Sequence, residues 1–128
     1  MKWHLKSKRT LTGKRLVRSR KKKKFERGSI FLETRIGRTN IKVQRGLGGN
    51  VKLKVLSDGK VNVADPKTKK VKSSKLVSVD KNPANIHYVR RNIITKGAIV
   101  KTEAGLVKIT SRPGQDGTLN GILVEEKK

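Results

Sequence analysis

Between Met1 and Lys24 the chain carries 12 Lys or Arg residues and no carboxylate. A segment of that kind repels itself and has little apolar area to bury. Its Leu5, Leu11, Leu16 and Val17 do not recur at helical spacing. The first 28 residues therefore read as a basic arm, extended and disordered when free. Against a polyanion the charges would be neutralised, and a helix over roughly 14–25 becomes accessible. The imbalance persists beyond the arm but weakens. Residues 1–54 hold 19 basic and 2 acidic side chains, whereas the remaining 74 residues hold 15 and 7. The total, +25 at pH 7, calls for nucleic acid, an anionic membrane or an acidic protein as counterpart.

From about residue 29 the apolar residues recur with period two. Ile41 and Val43 alternate with polar neighbours, as do Val51, Leu53 and Val55 with Lys52 and Lys54. Val61 and Val63 follow Ser57-Asp58-Gly59, which predicts a hairpin there. Residues 65–75 are rich in Lys and read as a loop or ribbon. Val77 and Val79 predict another short strand, and Asn82-Pro83-Ala84-Asn85 a turn. Strands are expected near 98–102, 106–110 and 119–124, with a long turn over 111–117. Short strands, Gly-rich turns and no long helical pattern argue for an all-β body over 29–128, with a Lys-rich loop near 65–75. A single antiparallel β-barrel-like domain is preferred to a sandwich because closure hides strand edges. Aromatic residues make up only 3% of the chain, so the core must be Val, Ile and Leu.

The residue inventory leaves little for catalysis. Without Cys there is no thiol nucleophile, disulfide or thiolate metal site. His4 and His87 lie in different contexts and in no metal-ligand spacing, and no nucleophile elbow is present. No enzyme activity, cofactor or metal is expected. No apolar run is long enough to span a bilayer, and none follows the basic N-terminus as a secretory signal requires. A cytoplasmic protein with no membrane partner is the reading, and homo-oligomerisation is not expected.

Phosphate binding is the chemistry that the pattern favours. In the arm, Lys2, Lys6, Lys8, Arg9, Lys14, Arg15, Arg18, Arg20, Lys21, Lys22, Lys23, Lys24 and Arg27 offer closely spaced guanidinium forks and ammonium point charges. Such contacts release counterions and read little base sequence. Gly13 and Gly28 permit bends in the arm's path. "RGLGGN" at 45–50 is a Gly-rich turn without the spacing of a P-loop; it serves as a plain turn or as a phosphate-facing one. Arg45, Lys52 and Lys96 join the candidate contacts in the body. In "NPANIHYVRRNIITKGAIV", residues 82–100, His87 and Tyr88 stand next to Arg90 and Arg91. That set suits stacking on an unpaired base while holding its phosphates. The plainer alternative packs Tyr88 at the barrel rim and leaves His87 to the turn. Strand geometry would turn Arg90 and Arg91 to opposite sides, freeing one for an internal ion pair. In "SRPGQDG", residues 111–117, Arg112 either reaches RNA or pairs with Asp116, which also suits capping the turn.

These motifs carry a resemblance. "RTLTGKRLVRSRKKKKFERG" at 9–28, "GGN" at 48–50, "DPKT" at 65–68, and above all the 82–100 and 111–117 segments resemble the archaeal and eukaryotic family of small-subunit ribosomal protein number eight. This family is distinct from the bacterial one of the same number. The likeness runs nearly end to end, and the short chain is similar to the archaeal form. Lys14 stands where many members have another Gly, and Ser29 where a basic residue is frequent. The resemblance implies a β-barrel-like body with an N-terminal extension, bound to small-subunit ribosomal RNA beside neighbouring small-subunit ribosomal proteins. It also implies a structural and assembly role in the cytoplasmic ribosome and no reaction. On composition alone, an architectural, chromatin-like DNA-binding protein or a transient RNA-binding assembly factor would fit as well.

Overall fold

A computed structural model of the chain describes residues 2–3, 8–17 and 19–124, the first two by backbone alone. Residues 1–31 and 32–128 form two compact units.

In the first unit, β1 (Lys2–Trp3) runs antiparallel to β2 (Arg27–Gly28). Residues 8–16 close a small hairpin: the Leu16 amide donates to the Lys8 carbonyl at 2.9 Å and the Thr10 amide to the Lys14 carbonyl at 2.8 Å. Gly13 sits in its tip at φ +85°, a conformation that favours glycine. One 3₁₀ turn, Lys24–Glu26, follows; the Glu26 carboxylate accepts the Lys23 amide at 3.1 Å. The strand and hairpin pairings run mainly through backbone groups, which is why apolar patterning gave no sign of them.

The second unit contains β3 (Thr34–Ile36), β4 (Asn40–Arg45), β5 (Val51–Asp58), β6 (Lys60–Ala64), β7 (Val71–Lys81), α1 (His87–Arg90), β8 (Ile93–Ile94), β9 (Ile99–Thr102), β10 (Gly105–Ile109), α2 (Pro113–Asp116) and β11 (Asn120–Leu123). Five strands close a barrel in the order β10-β11-β6-β7-β9. The expected all-β barrel is present. One of its seams is parallel, with Asn120, Gly121 and Ile122 of β11 beside Asn62, Val63 and Ala64 of β6. Val61, Val63, Leu76, Val79, Ile94, Val100, Val107, Ile109 and Leu119 fill the interior. Among the described residues no aromatic side chain is buried. Each fully buried Val, Leu or Ile contributes about 1.5–3 kcal/mol through removal from water.

A second sheet, β4-β5-β3-β8, leads into the barrel. Thr34 of β3 is buried and its hydroxyl donates to the Val55 carbonyl at 2.7 Å. Here the expected hairpin at Ser57-Asp58-Gly59 is corrected. β5 pairs with β4 and β3, whereas β6 pairs with β7 and β11, so the chain changes sheets at Gly59. The Gly59 carbonyl accepts the Leu76 amide at 2.9 Å, and a Cβ there would meet the Gly37 carbonyl oxygen at 3.1 Å.

Other expectations shift for identifiable reasons. In β7 the register slips between Leu76 and Ser78 and again between Val79 and Lys81. The first bulge sends Leu76 and Val79 inward and leaves Val77 exposed, breaking the anticipated Val77/Val79 face. The Lys-rich loop is shorter than 65–75, because 71–75 are part of β7. Residues 87–90 form α1 and not a strand; Asn side chains organise this segment. Asn85 Oδ1 accepts the His87 amide at 2.9 Å, and Asn82 Oδ1 accepts the Ala84 amide at 3.0 Å and the Thr95 hydroxyl at 2.9 Å. Within the expected 111–117 turn, Pro113–Asp116 complete one helical turn, which Gly117 ends at φ +74°.

Candidate nucleic-acid interface

The body's electrostatics are governed by where its few carboxylates go. Glu33 takes both Arg91 at 2.5 Å and Arg35 at 3.1 Å. Asp58 accepts the Thr39 hydroxyl at 2.9 Å and the Lys60 amide at 3.2 Å. Asp80 faces Lys101 at 3.3 Å, and Glu103 faces Lys75 at 3.9 Å. Asp116 accepts the Arg112 amide at 2.7 Å and lies 3.9 Å from its guanidinium. Asp65 accepts the Thr68 hydroxyl at 2.8 Å and the Lys67 amide at 2.9 Å. These bonds, the Thr68 one foremost, hold the Asp65 carboxyl below the ordinary aspartate range. Every acid described in the body is thus engaged within the chain, and most of the cations are left over.

The leftover cations fall into groups. On the ribbon made by β4 and β5 stand Lys42, Arg45, Lys52 and Lys54, all without an ion pair among the described residues. Lys69, Lys70 and Lys72 cluster at the β6–β7 connection, while Lys60 stands at the other end of that ladder, across from Lys75. Lys81 and Arg90 stand at an open cleft beside α1, lined also by Asp80, Asn82, Pro83, Ile86 and Val89, and Lys96 is exposed in the turn between β8 and β9.

Several anticipated residues come together and others do not. His87 is exposed, Tyr88 half-buried, and Arg90 and Arg91 are exposed on the same short helical turn or just after it. Only Arg91 reaches a carboxylate, so the predicted split between the two arginines arises from a helix and not from strand alternation. Arg112 pairs with Asp116, as the turn chemistry suggested. Arg45 and Lys52 belong to the same ribbon but to opposite faces, because Arg45 lies across from Val51, and Lys52 across from Gln44. The "RGLGGN" turn is closed internally: the Gly46 amide donates to the Asn50 carbonyl at 2.5 Å and Asn50 Nδ2 to the Leu47 carbonyl at 3.0 Å.

Sequence reasoning passed over Lys42 and Lys54. They are directly opposed across the ladder; folding the two alternating runs about the 45–50 turn would have paired them.

In the arm, Arg20 pairs with Glu26 at 2.6 Å and its guanidinium lies 5.7 Å from the centre of the Phe25 ring. Glu26 is the sole acid among residues 1–31. Lys8, Lys14, Arg15, Lys21, Lys23, Lys24 and Arg27 make no ion pair with a described carboxylate, while Arg9 donates to the Gly13 carbonyl at 3.1 Å. Lys22 lies in the same exposed run. Lys6, Arg18 and His4 lie outside the described residues, as does the side chain of Lys2.

Among the described residues no group of three or more His, Asp or Glu could hold a metal ion, and no helix is long and apolar enough to cross a membrane. What the arrangement can do is bind phosphates: dense exposed donors with their own counter-charges already taken.

Known proteins give this chemistry a context. The profile of the family described as Ribosomal protein S8e matches residues 3–124. The small ribosomal subunit protein eS8 of Methanocorpusculum labreanum is 50% identical over 125 residues, 98% of this chain and 100% of that one. The proteins of the same name from Methanocella arvoryzae and Nanoarchaeum equitans are 49% and 50% identical, covering 97% and 91% of this chain and 99% and 92% of theirs. With carboxylates engaged internally, cations in excess and the likeness spanning almost every residue, the chain belongs to the S8e family of ribosomal proteins.

Proposed function

We propose that this chain is a structural, non-catalytic component of the small ribosomal subunit that binds and stabilises small-subunit ribosomal RNA in the cytoplasm, beside neighbouring ribosomal proteins. The observation that carries the reading is the internal engagement of every carboxylate described in the body, against a chain total of 34 basic and 9 acidic residues. The relatives' names supply the subunit. RNA is the polyanion that such a subunit offers, and phosphate contacts would supply affinity with little base readout.

The grip has two parts. The body uses unmatched cations such as Arg90 and Lys96 on RNA backbone; the exposed His87 of α1 and Arg112, which also faces Asp116, add polar contacts. The arm, residues 1–28, neutralises phosphates of RNA segments that would otherwise repel one another. Free of RNA, little more than the β1–β2 pairing and the 8–16 hairpin holds the arm, so ordering it on RNA offsets part of the gross interaction.

The test is retention and mapping. Small subunits washed at high salt should keep the protein, and crosslinks should join arm and α1 residues to ribosomal RNA. Release in the wash would favour a transient assembly factor. Equal affinity for generic duplex DNA and folded ribosomal RNA at matched salt would favour an architectural DNA protein.

A further inference from the structure

We propose that the β4–β5 ribbon is an RNA-backbone site in its own right, taking phosphates on the face formed by Lys42, Lys52 and Lys54; this rests on the RNA-binding reading above. The ladder sets Lys42 directly across from Lys54 and Gln44 across from Lys52. Directly opposed side chains of an antiparallel pair share a face, with Cβ atoms about 4.5–5.5 Å apart, and like charges there are destabilising. No described carboxylate pairs with them: Asp116, which bridges to Leu53 beside this face, is engaged by Arg112. Residues 34–57 contain no acid. The two acids that flank this stretch, Glu33 and Asp58, are engaged by Arg91 and Arg35 and by Thr39 and the Lys60 amide. The face is accessible: β4 is exposed at every residue, as is Lys52, and Lys54 is half-buried.

Protection of a sheet edge is the rival explanation, since edge strands often carry Lys to prevent strand addition. It accounts for Lys42, because β4 is the edge of its sheet. It does not account for the direct opposition of Lys42 and Lys54: β3 meets β5 only at Ser57 and Asp58, so both strands are open here, and one Lys per strand would protect them without setting like charges across from each other. Three cations on two adjacent strands with no counter-charge fit a phosphate-lined backbone.

The full-length protein with Lys42→Gln, Lys52→Gln and Lys54→Gln together tests this on a transcript of small-subunit ribosomal RNA. Log affinity against log salt should flatten by roughly 2–2.7 for the three lysines, given about 0.7–0.9 per phosphate neutralised. The RNA-free melting temperature should hold or rise, because the opposition of Lys42 and Lys54 is relieved. A second variant, Lys42→Glu, places a carboxylate opposite Lys54; it should raise the melting temperature and weaken RNA binding. Salt-dependent binding by the wild type with an unchanged slope in the triple variant overturns the ribbon site alone. A fall in melting temperature for both variants assigns the lysines to packing and also overturns it. Absence of salt-dependent RNA binding by the wild type overturns the underlying RNA reading as well.

Discussion

Arg91 Nη2 lies 2.5 Å from Glu33 Oε2, while its neighbour Arg90 makes no ion pair with any described carboxylate. The two arginines are therefore assigned different work. Arg91→Ala should lower stability by no more than about 1 kcal/mol, since both partners are partly exposed and Glu33 retains Arg35. Arg90→Ala should leave the denaturation midpoint unchanged and flatten the salt dependence of RNA binding by about 0.7–0.9. Urea denaturation and RNA titration on both variants check the assignment; equal effects of the two on RNA binding would contradict it.

Gly117 joins α2 to the ribbon. Its φ is +74°, and a Cβ there would stand 2.5 Å from the Leu53 Cβ. Gly117→Ala should cost about 1–3 kcal/mol from backbone strain and crowding. Gly49→Ala is the comparison: φ is +80° but nothing lies within 4 Å, so only the backbone cost remains. Denaturant midpoints should fall further for the Gly117 variant than for the Gly49 variant.

Asp65 provides a pH test. The Thr68 hydroxyl and the Lys67 amide hold its carboxyl below the ordinary aspartate range. A group depressed on folding stabilises the fold above its unfolded pKa, and that contribution disappears as pH falls through the folded value. The Asp65 side-chain titration followed by NMR should therefore have its midpoint below that of an unstructured peptide. Thr68→Val should move it upward. The stability difference between wild type and Asp65→Asn should shrink as the solution is acidified through the carboxylate range.

The barrel was legible because Val61/Val63 and Val107/Ile109 alternate as strands buried on one side do, and because turn residues bound each run. Sheet membership was not. Ser57-Asp58-Gly59 has hairpin composition, yet the backbone there passes between two sheets, and composition does not encode which partner a strand finds. The β7 bulge moved Leu76 into the core in place of Val77, a one-residue slip that periodicity cannot anticipate. α1 was hidden because its single turn is started by the Asn85 side chain, which accepts the His87 amide, and not by a helical apolar stripe. At the candidate interface, charge density pointed to the arm and to Arg90. Lys42 and Lys54 were passed over because their opposition emerges only when the two alternating runs are folded about the 45–50 turn.

The salt dependence of RNA affinity, compared between the whole chain and a chain lacking residues 1–31, tests most directly the claim that unmatched cations bind phosphates. The shortened chain should keep its β circular dichroism, since the barrel core lies wholly within residues 32–128. The removed segment carries 13 cations and one acid. The slope of log affinity against log salt should therefore be flatter by several units, at about 0.7–0.9 for each phosphate that the arm no longer neutralises. An unchanged slope in a folded, shortened chain would contradict the account.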